Sequence, residues 1–304
     1  MEGSVMAPTQ PRVSVIIPSY NHERFLGQAI DSALSQTLRP HEVIVVDDGS
    51  TDGTAAVLSR YGDRIQAIRQ ANSGVSAARN AGVARSTGDL LAFLDADDEW
   101  RPQKLELQVQ AWQADPGLGL VHCGVEDIDG DGQPLREHAQ GLSGTDVAAA
   151  MLLFRGPTIL GGGSGVLIPR AVFDTAGGFD LRLSTSADWD LYYRIASQYP
   201  IAFVPAPLLR YRLHGSNMHG NVRAMEHDML LAYQKAFADP AAPNQKLRRR
   251  AYGNLHSVLA GSYFVAGQKR DFARHAARSL WLTPDNVSRF LSYPLRRLRR
   301  LSRP

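Results

Sequence analysis

A chain of 304 residues with 44% hydrophobic and 21% charged residues is long enough for a sizeable core and too apolar for a disordered protein. Its single cysteine, Cys123, excludes an internal disulfide and a cysteine-built zinc site, and no apolar run approaches the roughly 20 residues of a membrane-spanning helix. The net charge of +3 hides an asymmetry: acidic residues crowd the first two thirds and arginine crowds the end.

Residues 1–10 are polar, lack the hydrophobic stretch of a signal peptide, and read as a disordered N-terminus, which places the protein in the cytoplasm. From residue 11 short β-branched runs alternate with helical patterns, the signature of an α/β domain with parallel strands and crossover helices. The expected strands are Val13–Ile17, Glu42–Val46, Ile65–Ile68 and Leu90–Leu94. A helix through Phe25, Leu26, Ala29, Ile30, Ala33 and Leu34 has Asn21 as its N-cap and Glu23 in its first turn. A second helix follows Asp52-Gly-Thr54, a third covers about Ser76 to Ala84, and a fourth opens after Pro102. A fifth strand at Leu118–Val125 leads to a tight turn at Asp129-Gly-Asp-Gly132. The glycine run from Gly161 to Gly165 reads as backbone approaching a ligand rather than as a linker. Residues 217–304 turn helical and basic, and in the tail Leu295, Leu298 and Leu301 share one helical face opposite arginines. That tail either rests on an anionic membrane, on its inner face, or stays solvated.

Two expected strands end in clustered carboxylates, Val45-Val-Asp-Asp-Gly-Ser50 and Phe93-Leu-Asp-Ala-Asp-Asp98. Ligands of open parallel sheets bind beyond the carboxyl ends of the strands, so both clusters are expected in one crevice. Gathered carboxylates call for a hard cation, Mg²⁺ or Mn²⁺, and such an ion usually travels with a phosphate. Asp52 and Asp98 are read as helix caps or turn residues, while Asp48, Asp95 and Asp97 are read as functional. Asp95 and Asp97, two apart in an extended segment, are expected to point the same way.

The blocks Val13-Ser-Val-Ile-Ile-Pro-Ser-Tyr-Asn21, Val45-Val-Asp-Asp-Gly-Ser-Thr-Asp52, Asn72-Ser-Gly-Val-Ser-Ala-Ala-Arg-Asn80 and Phe93-Leu-Asp-Ala-Asp-Asp98 together resemble the successive signatures of family 2 glycosyltransferases. Looser likenesses at Ala176-Gly-Gly-Phe-Asp180, Ala187-Asp-Trp-Asp-Leu191 and Tyr211-Arg-Leu-His214 extend the resemblance to about residue 220. The resemblance implies a GT-A fold, a Rossmann-like mixed sheet flanked by helices, over residues 11–216, followed by a C-terminal helical region over 217–304. It implies an inverting, non-processive enzyme with a UDP- or dTDP-sugar donor. Pro18, Ser19 and Tyr20 would line the base pocket, with Asp48 on the pyrimidine N3. Asn72, Gly74, Arg79 and Ala96 would approach the nucleotide, Asp95 would hold the ribose, and Asp97 would hold the metal, with His214 completing its shell. Gly163 and Ser164 would shape the sugar site, and Trp189 would line the acceptor site or belong to the core. Asp188 matches the family's catalytic base, although Ala187 stands where the family has a second acid; its bland alternative is a helix N-cap.

The expected acceptor is a glycan or lipid-linked precursor of the cell envelope, with no nucleic acid partner. Two rivals are weighed. A metal-dependent phosphotransferase would carry its Asp-x-Asp on an early strand, whereas this one follows a late strand. A non-catalytic nucleotide-sugar-binding protein would be hinted at by loss of Asp97 or Asp188, and both are present.

Overall fold

The computed structural model describes residues 10–215 and 221–291, so residues 1–9, residues 216–220 and the tail carrying Leu295, Leu298 and Leu301 lie outside the described residues. Among the described residues nine strands form one mixed sheet: β1 (Val13–Ser19), β2 (Glu42–Asp47), β3 (Gln66–Arg69), β4 (Leu90–Phe93), β5 (Glu99–Trp100), β6 (Leu120–Ile128), β7 (Pro134–His138), β8 (Val166–Pro169) and β9 (Ile201–Arg212). Their order is β3-β2-β1-β4-β8-β6-β9-β5, with β7 paired to β6. The four strands expected to be parallel are so, in the order β3-β2-β1-β4. β8 then runs antiparallel to β4, which makes the sheet mixed. Alternation across β1 explains the two core layers: Val13, Val15 and Ile17 face one cluster and Ile16 faces the other.

The helices are α1 (Leu26–Leu34), α2 (Thr54–Ser59), α3 (Val75–Arg85), α4 (Lys104–Ala114), α5 (Val147–Leu153), α6 (Arg170–Ala176), α7 (Ala187–Ala196), α8 (Val222–Ala236), α9 (Arg248–Val265), α10 (Lys269–Leu282) and α11 (Val287–Leu291). The C-terminal helices do not build a core of their own. Met229 and Tyr233 of α8 and Leu255 and Leu259 of α9 join the same cluster as Ile16, Leu91 and Phe93 of the sheet.

Several local expectations are corrected. Asn21 does not cap α1, which opens at Leu26 with Phe25 at the cap position. Asn21 instead adopts φ 56, a left-handed conformation its short polar side chain tolerates, and its Oδ1 accepts from Thr51 N at 2.8 Å. Glu23, placed in the first turn, lies before the helix and accepts from Gly53 N at 2.6 Å. Of the two roles read for Asp98, helix cap or turn residue, the structure has the turn: α4 opens only at Lys104, and Asp98 N bonds back to Asp95 O. The fifth strand sits a little later than expected, at Leu120–Ile128.

Buried histidines make the fold acid-sensitive. His122 on β6 is fully buried, its Nε2 bonded to Leu142 O at 2.9 Å while Nδ1 accepts from Leu160 N at 3.2 Å, a pattern only the neutral ring can satisfy. Burial pushes its pKa down to about 4, and burial does the same to His256, whose ring meets His275. A base with a depressed folded pKa is protonated first in the unfolded chain. Stability is therefore complete above the unfolded value near 6.5 and drains away towards pH 4, by about 3 kcal/mol for His122. The melting temperature is expected to fall across that window, and His122→Gln, whose amide can make both bonds without titrating, is expected to flatten the profile. An unchanged slope in the variant would show that His122 is not responsible.

Candidate active site

The carboxyl ends of β1, β2 and β4 open on one edge of the sheet, and the segment after β1 ties the two acidic clusters together. Asp48 N donates to Ser19 O at 2.8 Å, Asn21 N donates to Ser50 Oγ at 2.9 Å, and at the next residue His22 Nε2 lies 3.9 Å from Asp97 Oδ2. Asp48 is buried and gathers the third motif: its Oδ1 accepts from Gln70 Nε2 and Ser73 N, and its Oδ2 accepts from Gly74 N at 2.8 Å. Gly49 is needed at the turn, because with φ +81 a Cβ there would lie 2.9 Å from Asn72 N. Tyr20, just beyond the last residue of β1, is 44% exposed, while Ser19 Oγ is buried with no hydrogen-bond partner among the described residues.

The second cluster is not the extended segment anticipated. Asp98 N bonds back to Asp95 O at 3.1 Å, a turn that sends Asp95 and Asp97 to different partners. Asp95 Oδ1 takes the buried Arg79 Nη2 at 2.5 Å, whereas Asp97 Oδ2 meets His214 Nε2 at 2.9 Å. Ala96 between them is buried. Ser164 Oγ links the turn to the glycine run: it accepts from Asp95 N at 3.0 Å and donates to Asp98 Oδ2 at 2.6 Å. Burial, then the charges of Asp97 and Asp95, raise the Asp98 carboxyl well above the usual range.

The glycine run forms a 3-10 turn, Gly162–Gly165, held from beneath by Trp100 Nε1 on Ser164 O and Gln108 Nε2 on Gly165 O, both at 2.9 Å. A Cβ on Gly163 would press against the Arg79 guanidinium and lie 3.0 Å from Asp95 Oδ1; one on Gly162 would lie 3.3 Å from Asp188 Oδ2. Asp188 thus borders the same turn as Asp95. It is the second residue of α7, with Ser186 at the cap position, and its Oδ1 accepts from Trp189 N at 2.7 Å. Burial raises its carboxyl pKa, against the pull of the Arg79 charge. Trp189 is stacked with Tyr193 and Tyr233, ring centroids 5.5 and 5.2 Å away. A separate depression of about 450 Å³ beside α1 and α2, lined by Glu23, Arg24, Asp31, Arg60 and Tyr61 among others, holds none of these carboxylates.

The family model described as glycosyl transferase family 2 matches residues 14–173. The chain belongs to glycosyltransferase family 2. It is 36% identical over 220 residues, 68% of its length and 66% of the relative's, to an uncharacterized glycosyltransferase of Nostoc sp.. It is 39% identical over 135 residues, 43% of its length and 53% of the relative's, to Bacillus subtilis TuaG, a glycosyltransferase named for teichuronic acid biosynthesis. Among the curated relatives it matches, the share of their length that it spans runs from 66% down to 30%. In structure it resembles S. aureus TarS residues 1–349 in complex with UDP, with a TM-score of 0.57 at 15% identity, covering 89% of this chain and 91% of that one. The mixed sheet flanked by helices is the GT-A fold of this family.

Several residues of this family 2 site escaped the sequence reading. His22 faces Asp97. Tyr192 donates to Gly162 O at 2.8 Å, and its hydroxyl is pushed well above the ordinary tyrosine range by burial and by Asp188. Tyr211 is raised by burial and then by Asp98, Asp95, Asp97 and Asp188, so one hydroxyl stands in the field of all four carboxylates. Buried Arg212 donates its backbone N–H to Asp98 Oδ1 and its Nε to Asp97 O, both at 2.9 Å, and so fixes the turn. Asp228 of α8 accepts from Ser184 N, Thr185 Oγ1 and Ser186 N, which sets the loop that delivers Asp188. The Tyr211-Arg-Leu-His214 likeness marked the segment of Tyr211 and Arg212 but not which acids they reach, because these partners sit far apart along the chain.

Proposed function

We propose that the protein transfers a sugar from UDP or dTDP to a hydroxyl of a discrete acceptor, with inversion at the anomeric carbon. The observation that carries this is the convergence of Asp95 and Asp188 on the single Gly162–Gly165 turn, with Asp97 two residues from Asp95. The base lies by Pro18, Ser19 and the exposed ring of Tyr20, with Asp48 and the Asn72 to Gly74 segment at its edge. Arg79 holds Asp95 by Oδ1 and leaves Oδ2 to the ribose. The sugar lies against the turn at Gly163 and Ser164, where the missing Cβ of Gly163 lets Arg79 and Asp95 close up on the backbone. Asp188 takes the acceptor proton as the hydroxyl oxygen attacks the anomeric carbon, and the bond to the diphosphate breaks with its electron pair leaving on the nucleotide. The raised pKa of Asp188 makes it a stronger base than an ordinary carboxylate.

Asp97 and His214 fit a divalent ion bound jointly with phosphate. They are an oxygen and a nitrogen donor side by side, and among the described residues no group of three or more His, Cys, Asp or Glu forms a cage on its own. Mn²⁺ or Mg²⁺ there would neutralise charge on the leaving diphosphate. The UDP in TarS and the naming of TuaG support a nucleotide-sugar donor and a cell-envelope glycan acceptor. Among the described residues no helix is long and apolar enough to cross a membrane, and the basic tail adds a peripheral contact.

Thermal unfolding with UDP and dTDP, with and without Mn²⁺, tests the reading. A rise in melting temperature that needs both nucleotide and metal is expected. No rise with either nucleotide at saturating concentration would sink it.

A further inference from the structure

α9 and α10 pack against one another through the inward face of α10, where His275 meets His256 and Ser279 Oγ donates to Gly253 O at 2.8 Å. The opposite face of α10 carries Arg270, Ala273, Ala277, Arg278 and Trp281, all exposed and spaced at helical intervals over about 16 Å. Trp281 is 78% exposed, the largest fraction among the exposed large hydrophobic residues. Arg249 of α9 is anchored beside it, donating from Nε to Leu282 O at 3.0 Å and from Nη2 to Trp281 O at 3.5 Å. The segment that carries this face is basic: residues 245–291 hold nine Lys or Arg against two Asp, whereas residues 1–244 hold 19 against 28 Asp or Glu. One of those two, Asp271, is already paired with Arg274 at 3.0 Å. Glu226 of α8 also reaches α10, pairing with Arg274 at 3.0 Å and His275 at 3.2 Å, and leaves Arg270 and Arg278 of the outward face unneutralised by it.

We propose that the outward face of α10 seats the protein on an anionic lipid surface, with Trp281 in the headgroup layer. An indole flanked by arginines has an apolar body and a polar rim, which water alone satisfies poorly and a bilayer interface satisfies at both ends. The small Ala273 and Ala277 leave the face smooth enough to lie flat. The acidic α/β part is repelled by the same surface, so the field of the molecule orients it with α10 inward to the lipid. The inference shares its partner with the peripheral contact proposed for the tail but rests on different, structured residues, and it does not depend on catalysis.

The test is co-sedimentation of the full chain with vesicles of phosphatidylcholine alone or mixed with phosphatidylglycerol. Binding only to the mixed vesicles, released by salt, is expected. The triple variant Arg270→Glu, Arg278→Glu, Trp281→Ala, whose positions are all exposed, is expected to melt like the wild type and bind about tenfold more weakly or worse. Replacing Arg296, Arg297, Arg299 and Arg300 by glutamine should leave most of the binding. Wild-type binding by the triple variant overturns the α10 face while leaving the tail reading intact if the tail variant fails. No binding by the wild type removes both. Equal capture by duplex DNA that competes with the vesicles and ignores Trp281→Ala would mark a general polyanion site and also overturn it.

Discussion

Asp188→Asn is expected to bind UDP as the wild type does and to transfer sugar between about a hundredfold and ten thousandfold more slowly, the range a general base contributes. The amide keeps the local structure, because its oxygen can still accept from Trp189 N and α7 keeps its first turn. What it loses is the capacity to take a proton. The pH dependence separates this from a structural effect. Burial has raised the Asp188 pKa, so in the wild type the ionised, active form is lost as the pH falls through that raised value, above where an ordinary carboxylate would titrate. The slow residual rate of the variant should lack that limb. Transfer assays across pH, with UDP affinity measured alongside, check both points, and a variant retaining wild-type turnover would remove Asp188 as the base.

The parts of this site that could be read from sequence are those whose signal is local. β1, β2 and β4 are nearly all apolar because both faces of the sheet are covered, and the acids at the ends of β2 and β4 stand where such a sheet binds ligands. β9 gave no such signal. It carries Pro205 and Pro207, which argue against an interior strand, and the structure accommodates them with irregular register where Gly124 faces Pro207. The expectation for Asn21 failed for a related reason: cap chemistry looks identical in sequence whether the amide serves the next helix or a neighbouring loop, and only the β1–β2 pairing decides which. Likewise Tyr211, Arg212 and His22 reach the acids through pairings more than 70 residues long, which no window along the chain contains. The extended geometry assumed for Asp95 and Asp97 was wrong because the chain must turn sharply to enter β5, and the Asp98 N to Asp95 O bond closes that turn.

Asp97→Asn is expected to abolish the metal-dependent part of the nucleotide thermal shift and to slow transfer by about a thousandfold or more, the effect of losing several kcal/mol of charge stabilisation on the departing diphosphate. Its effect on the free protein should have the opposite sign. Asp95, Asp97 and Asp98 follow one another within four residues, and the neighbouring charges help force the buried Asp98 carboxyl towards its neutral form. Removing one charge relieves that repulsion, while the backbone oxygen at position 97 still accepts from Arg212 Nε and the amide oxygen still accepts from His214. The ligand-free variant should therefore melt at the same temperature as the wild type or slightly above it. Unfolding curves with and without UDP and Mn²⁺ read both effects in one experiment. A variant that melts lower without ligand would make Asp97 a structural residue, and one that keeps its Mn²⁺-dependent shift would place the ion elsewhere.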